Sequence, residues 1–188
     1  MSEVLGGHYT QSSTGLLTEQ RVKEKMESLG LIAIKPVPDR GIDLEVYNPS
    51  DLKKCIRIQV KGRSPKQIDT HRWFQIRVPK REFERARQEG IPANQTWRKK
   101  VKMVDFFILD AVNMNEMWVL NQDQVFDLIS LNEQQYSTRP DNIFVYDENM
   151  NSKQKEMNLE ARVMGPSIMN RLGHCKNNFQ PILDSLGM

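Results

Sequence analysis

Three side chains near the middle of the sequence are of the types that metal-assisted hydrolysis requires. Asp43 follows a glycine and an isoleucine, while Gln59 and Lys61 flank Val60 in a later apolar segment. Side chains on a strand alternate between its two faces, so Gln59 and Lys61 share one face. If this strand pairs with the one before it as a hairpin, Asp43 shares that face as well. A carboxylate, an amide oxygen and an ammonium then converge on one surface of the sheet.

This combination favours phosphodiester hydrolysis. Mg²⁺ binds oxygen ligands and keeps several waters. A bound ion stabilises charge on the attacking and leaving oxygens. A lysine beside it, here Lys61, can position a water for attack on phosphorus or help to deprotonate it. The alternative is an ordinary solvent-facing strand surface, on which Asp43, Gln59 and Lys61 have no common role.

The first predicted helix offers a further carboxylate. At about 100° per residue its apolar side chains cluster on one side; they are Leu16, Val22, Met26 and Leu29. Glu19 falls in the middle of this stripe. A carboxylate that faces a core is costly unless it is paired or bound to a metal. Glu19 is therefore either part of the site or the partner of Lys23 in an i,i+4 ion pair.

The order of these residues resembles the PD-(D/E)XK nuclease superfamily. The matching positions are Glu19 in a helix, Asp43 in Gly-Ile-Asp, and the segment Gln59-Val60-Lys61. The Gly-Ile-Asp and Gln-x-Lys versions are similar to Mrr-like proteins. The resemblance covers roughly residues 14–63 and extends more loosely to the apolar segment 104–112. It implies an α/β, restriction-endonuclease-like fold, in which helices flank a mixed central β-sheet.

The resemblance also implies roles for individual residues. Asp43 would be the principal ligand of Mg²⁺, for which Mn²⁺ could substitute. Gln59 and the Val60 carbonyl would complete the coordination. Lys61 would serve the attacking water, and Glu19 would be an auxiliary ligand or a water contact.

Two departures from the family pattern affect these roles. Gln59 stands where the family has Glu or Asp, so it supplies an oxygen without charge. Metal affinity is then lower or depends more on Glu19. The literal Pro-Asp dipeptide ends at Asp39 in a predicted loop, so it is not the motif. Glu45 and Arg57 lie on the same strand faces as the site, where we expect them to form an ion pair rather than a further metal site.

The charge distribution favours a polyanionic partner. Residues 51–102 contain 16 Lys or Arg and 5 Asp or Glu, a local charge of +11, whereas the whole chain carries only +3. Such a block indicates a DNA-facing surface or, alternatively, a solvated basic face. The predicted DNA-contact residues are Arg63, Lys66, Arg98, Lys99, Lys100 and Lys102. The basic group at 98–102, beside Trp97, is predicted to lie in a loop that can reach a groove. In the helix after Pro79, acidic residues alternate with the basic ones, so most of its basic side chains are expected to be solvated.

Periodicity and turn residues predict the elements that position this site. Helices are expected at 14–29, 79–90 and 122–131, with strands at 31–35, 42–47, 55–61, 73–78, 104–112, 117–120 and 143–146. Residues 62–70 are expected to form a loop, and a further helix is expected near the C-terminus. The predicted organisation is a flexible arm over 1–13, a nuclease core over 14–131 and an extension over 132–188 packed on the same domain.

Composition excludes several protein classes. No apolar run approaches the roughly 20 residues of a membrane span, and the N-terminus lacks an apolar signal core. The two cysteines, Cys55 and Cys175, make neither a disulfide framework nor a zinc-binding spacing. These features predict a cytoplasmic protein. The resemblance to the PD-(D/E)XK nucleases implies a Mg²⁺-dependent endodeoxyribonuclease with a role in restriction or defence, and we expect a homodimer because both strands of a duplex are cut. The alternatives are RNA as the substrate, a structure-selective nuclease (a junction resolvase or repair enzyme), and a non-cutting DNA-binding module of the same fold.

Overall fold

A computed structural model of the chain describes residues 11–37, 41–63, 73–78, 80–135, 142–146 and 171–188. The helices are α1 (Gln11–Ser28), α2 (Lys80–Gln88), α3 (Ala93–Val101), α4 (Gln122–Gln135) and α5 (Gln180–Leu186). The strands are β1 (Ile32–Ile34), β2 (Leu44–Asn48), β3 (Asp51–Arg63), β4 (Trp73–Arg77), β5 (Phe106–Ala111), β6 (Glu116–Asn121) and β7 (Asn142–Tyr146). Within these ranges, no helix is both long and apolar enough to cross a membrane.

Five of the strands form one mixed sheet in the order β1-β2-β3-β5-β6. The pairs β1–β2, β2–β3 and β5–β6 are antiparallel, and β3 runs parallel to β5. A parallel pair needs a long crossover connection, which here contains β4, α2 and α3. Strands β4 and β7 form a separate antiparallel pair. The predicted fold class, an α/β fold whose mixed central sheet is flanked by helices, is confirmed.

Alternation along the strands builds a different core on each face of the sheet. Leu44, Ile58 and Val60 pack on the face covered by α1 and α5. Phe107 and Leu109 pack on the opposite face with residues of α3 and α4. Because Gln59 and Lys61 alternate with Ile58 and Val60, they belong to the α3 face of the sheet.

The hairpin between β2 and β3 sets the register of the site. Its turn contains Asn48, whose Oδ1 accepts a hydrogen bond from the Ser50 N–H at 2.8 Å, as asparagine often does in turns. Leu44 then pairs with Ile58. The predicted alternation of these two strands is confirmed, except that Ile42, which precedes β2, packs against the α3-side core.

Two predictions about local structure are wrong. Gly62 and Arg63, expected to begin a loop, continue β3, because they pair with Asp110 and Ala111 of β5. The basic group at 98–102, expected to lie in a loop, belongs to the C-terminal end of helix α3 and to Lys102, which follows it. The many basic and amide side chains of this helix obscure a narrow apolar stripe, which consists of Trp97 and Val101.

The remaining predicted elements agree with the structure to within a few residues, including α1, α4 and the hairpin from β5 to β6. Helix α1 already begins at Gln11, inside the segment predicted to be an arm. Leu16, placed on its apolar stripe by periodicity, is 60% exposed. The division at residue 132 into a core and an extension stays a prediction.

Candidate active site

Asp43, Gln59 and Lys61 occupy one face of the sheet where β2 begins beside β3. The Asp43 N–H donates to the Ile58 carbonyl at 2.9 Å, one step beyond the Leu44–Ile58 pair. This register places Asp43 opposite Gln59, with Lys61 two residues further along β3 on the same face. The structure therefore brings the three residues together, while their catalytic roles stay predictions.

The Asp43 carboxylate is held by the backbone of β3. Its Oδ2 accepts a hydrogen bond from the Val60 N–H at 2.6 Å, and the residue is only 9% exposed. Asp43 precedes the first residue of β2, so its carboxylate takes the place of a β2 carbonyl as the acceptor for the Val60 N–H. The N–H and C=O of a strand residue point to the same side, so the Val60 carbonyl faces the Asp43 side too.

Gln59 has a buried oxygen with no hydrogen-bond partner. Its Nε2 donates to the Gly41 carbonyl at 3.2 Å, which orients the amide. Its Oε1 is buried and accepts no hydrogen bond in the part of the chain that the structure describes. Leaving such an acceptor unsatisfied costs about 1–3 kcal/mol. An uncharged oxygen with this unmet demand beside a carboxylate suits a hard cation such as Mg²⁺.

Helix α3 brings a second lysine to the same place. Gly41 has a φ of +85°, a conformation that favours glycine, and a Cβ there would lie 3.0 Å from Nζ of Lys100. Trp97 and Val101 are fully buried and anchor α3 against the sheet face that carries the site. Lys100 therefore approaches the residue that orients Gln59.

Glu19 is engaged elsewhere in the structure. It forms an ion pair with Lys35, whose Nζ lies 2.5 Å from Glu19 Oε2. The predicted alternative pair is wrong, because Lys23 contacts Glu27 at 3.7 Å instead. The described residues contain no group of three His, Cys, Asp or Glu side chains placed to hold a metal. A cation bound by Asp43 would thus depend mainly on neutral oxygens, and a metal-binding role for Glu19 stays a prediction.

The expected ion pair between Glu45 and Arg57 is also wrong. The two residues face each other in the register, but the Arg57 Nε donates to Asp105 Oδ2 at 3.3 Å. The same oxygen accepts the Arg57 N–H at 2.7 Å, so Asp105 binds both the backbone and the guanidinium. Glu45 instead accepts the Tyr47 hydroxyl at 2.9 Å. Hydrogen bonding with Cys55, and then with Glu45, raises the pKa of Tyr47 above its ordinary value.

The predicted DNA-contact residues separate into different surroundings. Arg98, Lys99 and Lys100 lie on α3 and Lys102 follows it, so the loop expected there is wrong. The backbone of Arg63 belongs to β3, whereas Lys66 lies outside the described residues.

Arg98 and Lys102 face α4 rather than the strands of the site. They line a cleft of about 360 Å³ together with Asp123, Phe126 and Asp127. The Arg98 guanidinium lies 5.1 Å from the centroid of the Phe126 ring, within the range of a cation–π contact. The two acidic residues offset part of the positive charge of this cleft, which weakens its case as a phosphate-binding surface.

A buried ion pair on the opposite face of the sheet was not found by sequence reasoning. Asp110 is 0% exposed within the apolar strand β5, and its Oδ2 accepts from Arg21 Nε of α1 at 3.0 Å. Burial raises the pKa of Asp110, and the hydrogen bond and charge of Arg21 oppose that rise. A single acidic residue inside an apolar strand was the available signal. Its partner could not be inferred, because the two residues meet only in the folded chain.

One comparison with solved structures identifies a nuclease of the same fold. The chain is similar to a bacterial homing endonuclease, I-Ssp6803I, with a TM-score of 0.53, 14% sequence identity and coverage of 96% of both chains. At that identity the likeness shows a shared fold alone. No protein-family model and no curated protein sequence matches the chain.

Proposed function

We propose that this protein is a metal-dependent endodeoxyribonuclease of the PD-(D/E)XK type, which hydrolyses phosphodiester bonds in DNA. The observation that carries the proposal is the buried, unpartnered Oε1 of Gln59, which precedes Val60, the residue whose N–H holds the Asp43 carboxylate. Protein interiors rarely leave such an acceptor unsatisfied without a reason. A bound cation supplies that reason, and the resemblance of the surrounding motif to a nuclease motif supplies its chemistry.

The residues present fit a hard divalent cation. Asp43, Gln59 Oε1 and the Val60 carbonyl offer three oxygens, and water would complete an Mg²⁺ or Mn²⁺ shell. When bound, the ion stabilises negative charge on the attacking and leaving oxygens. With a single carboxylate among the three, we expect its affinity to be modest.

The chain's own residues orient the reactants. The Val60 N–H fixes the Asp43 carboxylate, and the Gly41 carbonyl fixes the Gln59 amide. Lys61, on the same face as Gln59, orients the attacking water through its ammonium group. The water oxygen bonds to phosphorus as its proton passes to solvent water, and the bond from phosphorus to one ester oxygen breaks while that oxygen takes a proton from solvent.

The biological role and assembly follow from the substrate. The basic block over residues 51–102 supports a nucleic-acid partner. The likeness to a homing endonuclease supports a nuclease role, and the Mrr-like motif supports a role in restriction. A homodimer would place one active site on each strand of the duplex.

Plasmid cleavage tests the enzyme proposal. Supercoiled DNA should be nicked or linearised by the wild-type protein with Mg²⁺ or Mn²⁺, and not with excess EDTA. Asp43→Ala and Lys61→Ala should each lower the rate by at least ~100-fold, because each removes a group that acts on the transition state. Glu24→Ala and Lys23→Ala make the same charge changes on exposed parts of α1 and should cleave normally. Equal rates in all five proteins would refute the assigned site.

The presence of Gln59 where the family has an acid favours one competing function, a DNA-binding module that does not cut. Calorimetric titration with Mn²⁺ provides a readout independent of cleavage. The enzyme proposal requires that the wild-type protein bind Mn²⁺ and that Asp43→Ala bind it at least ~10-fold more weakly. DNA binding without cleavage of any DNA, and without Mn²⁺ binding, would establish the module instead.

A further inference from the structure

Lys100 differs from the other basic residues of α3 in where it points. Trp97 and Val101 hold the helix against the sheet, and Lys100 lies between them in sequence. It is half-buried, whereas Lys99 is exposed, and Arg98 and Lys102 face the cleft with α4. Only Lys100 among these four reaches Gly41 in the described part of the structure.

The contact with Gly41 places an ammonium beside the proposed metal ligands. Nζ of Lys100 lies 3.0 Å from the point where a Cβ of Gly41 would be. The carbonyl of that glycine accepts the hydrogen bond from Gln59. Gly41 therefore lies between the Lys100 ammonium and the Gln59 amide, whose Oε1 has no partner.

Both of these groups lack a partner in the structure. Across the described residues, the Lys100 ammonium makes no hydrogen bond or ion pair, and Gln59 Oε1 accepts no hydrogen bond. A half-buried cation is costly when nothing neutralises it. A phosphodiester held with a divalent cation would satisfy both groups, because Gln59 Oε1 would bind the cation and the Lys100 ammonium would bind the phosphate.

We infer that Lys100 is a catalytic residue whose ammonium contacts a non-bridging oxygen of the scissile phosphate. This inference rests on the proposed nuclease function and adds a second lysine to it. Lys100 forms and breaks no covalent bond and keeps its three protons throughout. It neutralises the charge that grows on the non-bridging oxygens as the water oxygen bonds to phosphorus and the ester oxygen leaves.

Single-turnover cleavage, with DNA binding measured separately, tests this role. Lys100→Ala and Lys100→Gln should lower the cleavage rate at saturating protein by ~100-fold with Mg²⁺. Their dissociation constants for the same DNA with Ca²⁺, used as a non-cleaving probe, should change by less than ~3-fold. Lys53→Ala is the matched control, since it removes the same charge from an exposed residue of β3 with no role in the site, and it should cleave at nearly the wild-type rate.

The outcomes separate this inference from the proposed function. Wild-type cleavage that persists in both Lys100 variants overturns the catalytic role alone. Weaker DNA binding with an unchanged cleavage rate also overturns it, because Lys100 would then be only a phosphate anchor. An equal loss in Lys53→Ala points to general electrostatics and overturns it too. Absence of cleavage by the wild-type protein refutes the nuclease proposal itself and this inference with it.

Discussion

Gln59 combines a buried position with an acceptor that no neighbour satisfies. Its Nε2 is committed to the Gly41 carbonyl, so the amide cannot rotate to hide the oxygen without losing that bond. A carboxylate at this position would bind a cation more strongly, but would face the Gly41 carbonyl without a donor between them. The amide thus avoids repulsion in the metal-free protein at the expense of metal affinity.

Exchange of this amide for a carboxylate tests that account. Gln59→Glu should destabilise the protein in EDTA by about 2 kcal/mol, because it removes the donor to Gly41 and buries a charge. Saturating Mn²⁺ should then stabilise the variant more than it stabilises the wild type, because the added carboxylate binds the ion more tightly in the folded state and so raises the free energy of unfolding further. Urea unfolding with and without Mn²⁺ measures both effects.

Gln95→Glu provides the control for this exchange. It makes the same substitution at an exposed position in the first turn of α3, where negative charge is tolerated. Its stability should be close to that of the wild type and should not depend on Mn²⁺. Equal stabilisation of Gln59→Glu and the wild type by Mn²⁺ would mean that Gln59 is not a ligand.

At the scale of elements, the site depends on how closely β3 approaches α1. Gly62 lies one residue beyond Lys61 and faces the helix, and a Cβ on Gly62 would overlap the side chain of Thr18. Thr18 is almost fully buried, and its hydroxyl donates to the Gly15 carbonyl at 3.0 Å. The glycine therefore permits a helix–strand contact that no other residue could make without movement.

Gly62→Ala should consequently destabilise the protein. The added methyl must push α1 away from β3, and such overpacking costs about 2 kcal/mol. Gly173→Ala is the matched control, because a Cβ there meets nothing within 4 Å. Thermal or urea unfolding of both variants measures the difference. If the two alanines cost the same, α1 and β3 are not closely packed at this point.

Sequence reasoning succeeded where a pattern is local. The β2–β3 hairpin follows from alternation and from turn residues, and this hairpin alone places Asp43 opposite Gln59. Helix α3 was missed because its buried face consists of only Trp97 and Val101 within a basic segment. The approach of Lys100 to Gly41 could therefore not be foreseen, since it requires the helix.

Ion-pair partners were the least predictable feature. Arg57 and Glu45 are neighbours in the register, yet Arg57 binds Asp105, which lies immediately before β5 and is distant in sequence. Glu19 likewise binds Lys35 rather than Lys23 on its own helix. Periodicity gives the face on which a side chain lies, but the choice between competing partners depends on how distant segments pack.

At the scale of the whole molecule, the sheet separates two cores, and a buried ion pair ties α1 to β5 on the face away from the site. Arg21 reaches Asp110 and also donates to Asn115 Oδ1 at 3.1 Å. Asp110 is fully buried, and its charge is tolerated there because the Arg21 guanidinium compensates it. A charge in this position makes the stability of the protein depend on pH.

Removal of Arg21 exposes that dependence. Burial raises the pKa of Asp110, and Arg21→Ala should raise it further, since the charge and hydrogen bond that oppose the rise are lost. A raised folded-state pKa means that the folded protein binds more protons than the unfolded chain as the pH falls. The free energy of unfolding of the variant should therefore be about 3 kcal/mol lower than that of the wild type at pH 7, where Asp110 must stay charged without a partner or take up a proton. The difference should be smaller near pH 5, where protonation of Asp110 costs less.

Urea unfolding of the wild type and Arg21→Ala at both pH values measures this difference. Lys23→Ala is the control, because its i,i+4 pair with Glu27 is exposed and should change stability by less than about 0.5 kcal/mol at either pH. A loss in Arg21→Ala that is the same at pH 7 and pH 5 would assign the effect to lost packing of the arginine side chain. A loss that shrinks with falling pH would show that an uncompensated Asp110 carboxylate is its cause, and that the α1–β5 contact is held by charge.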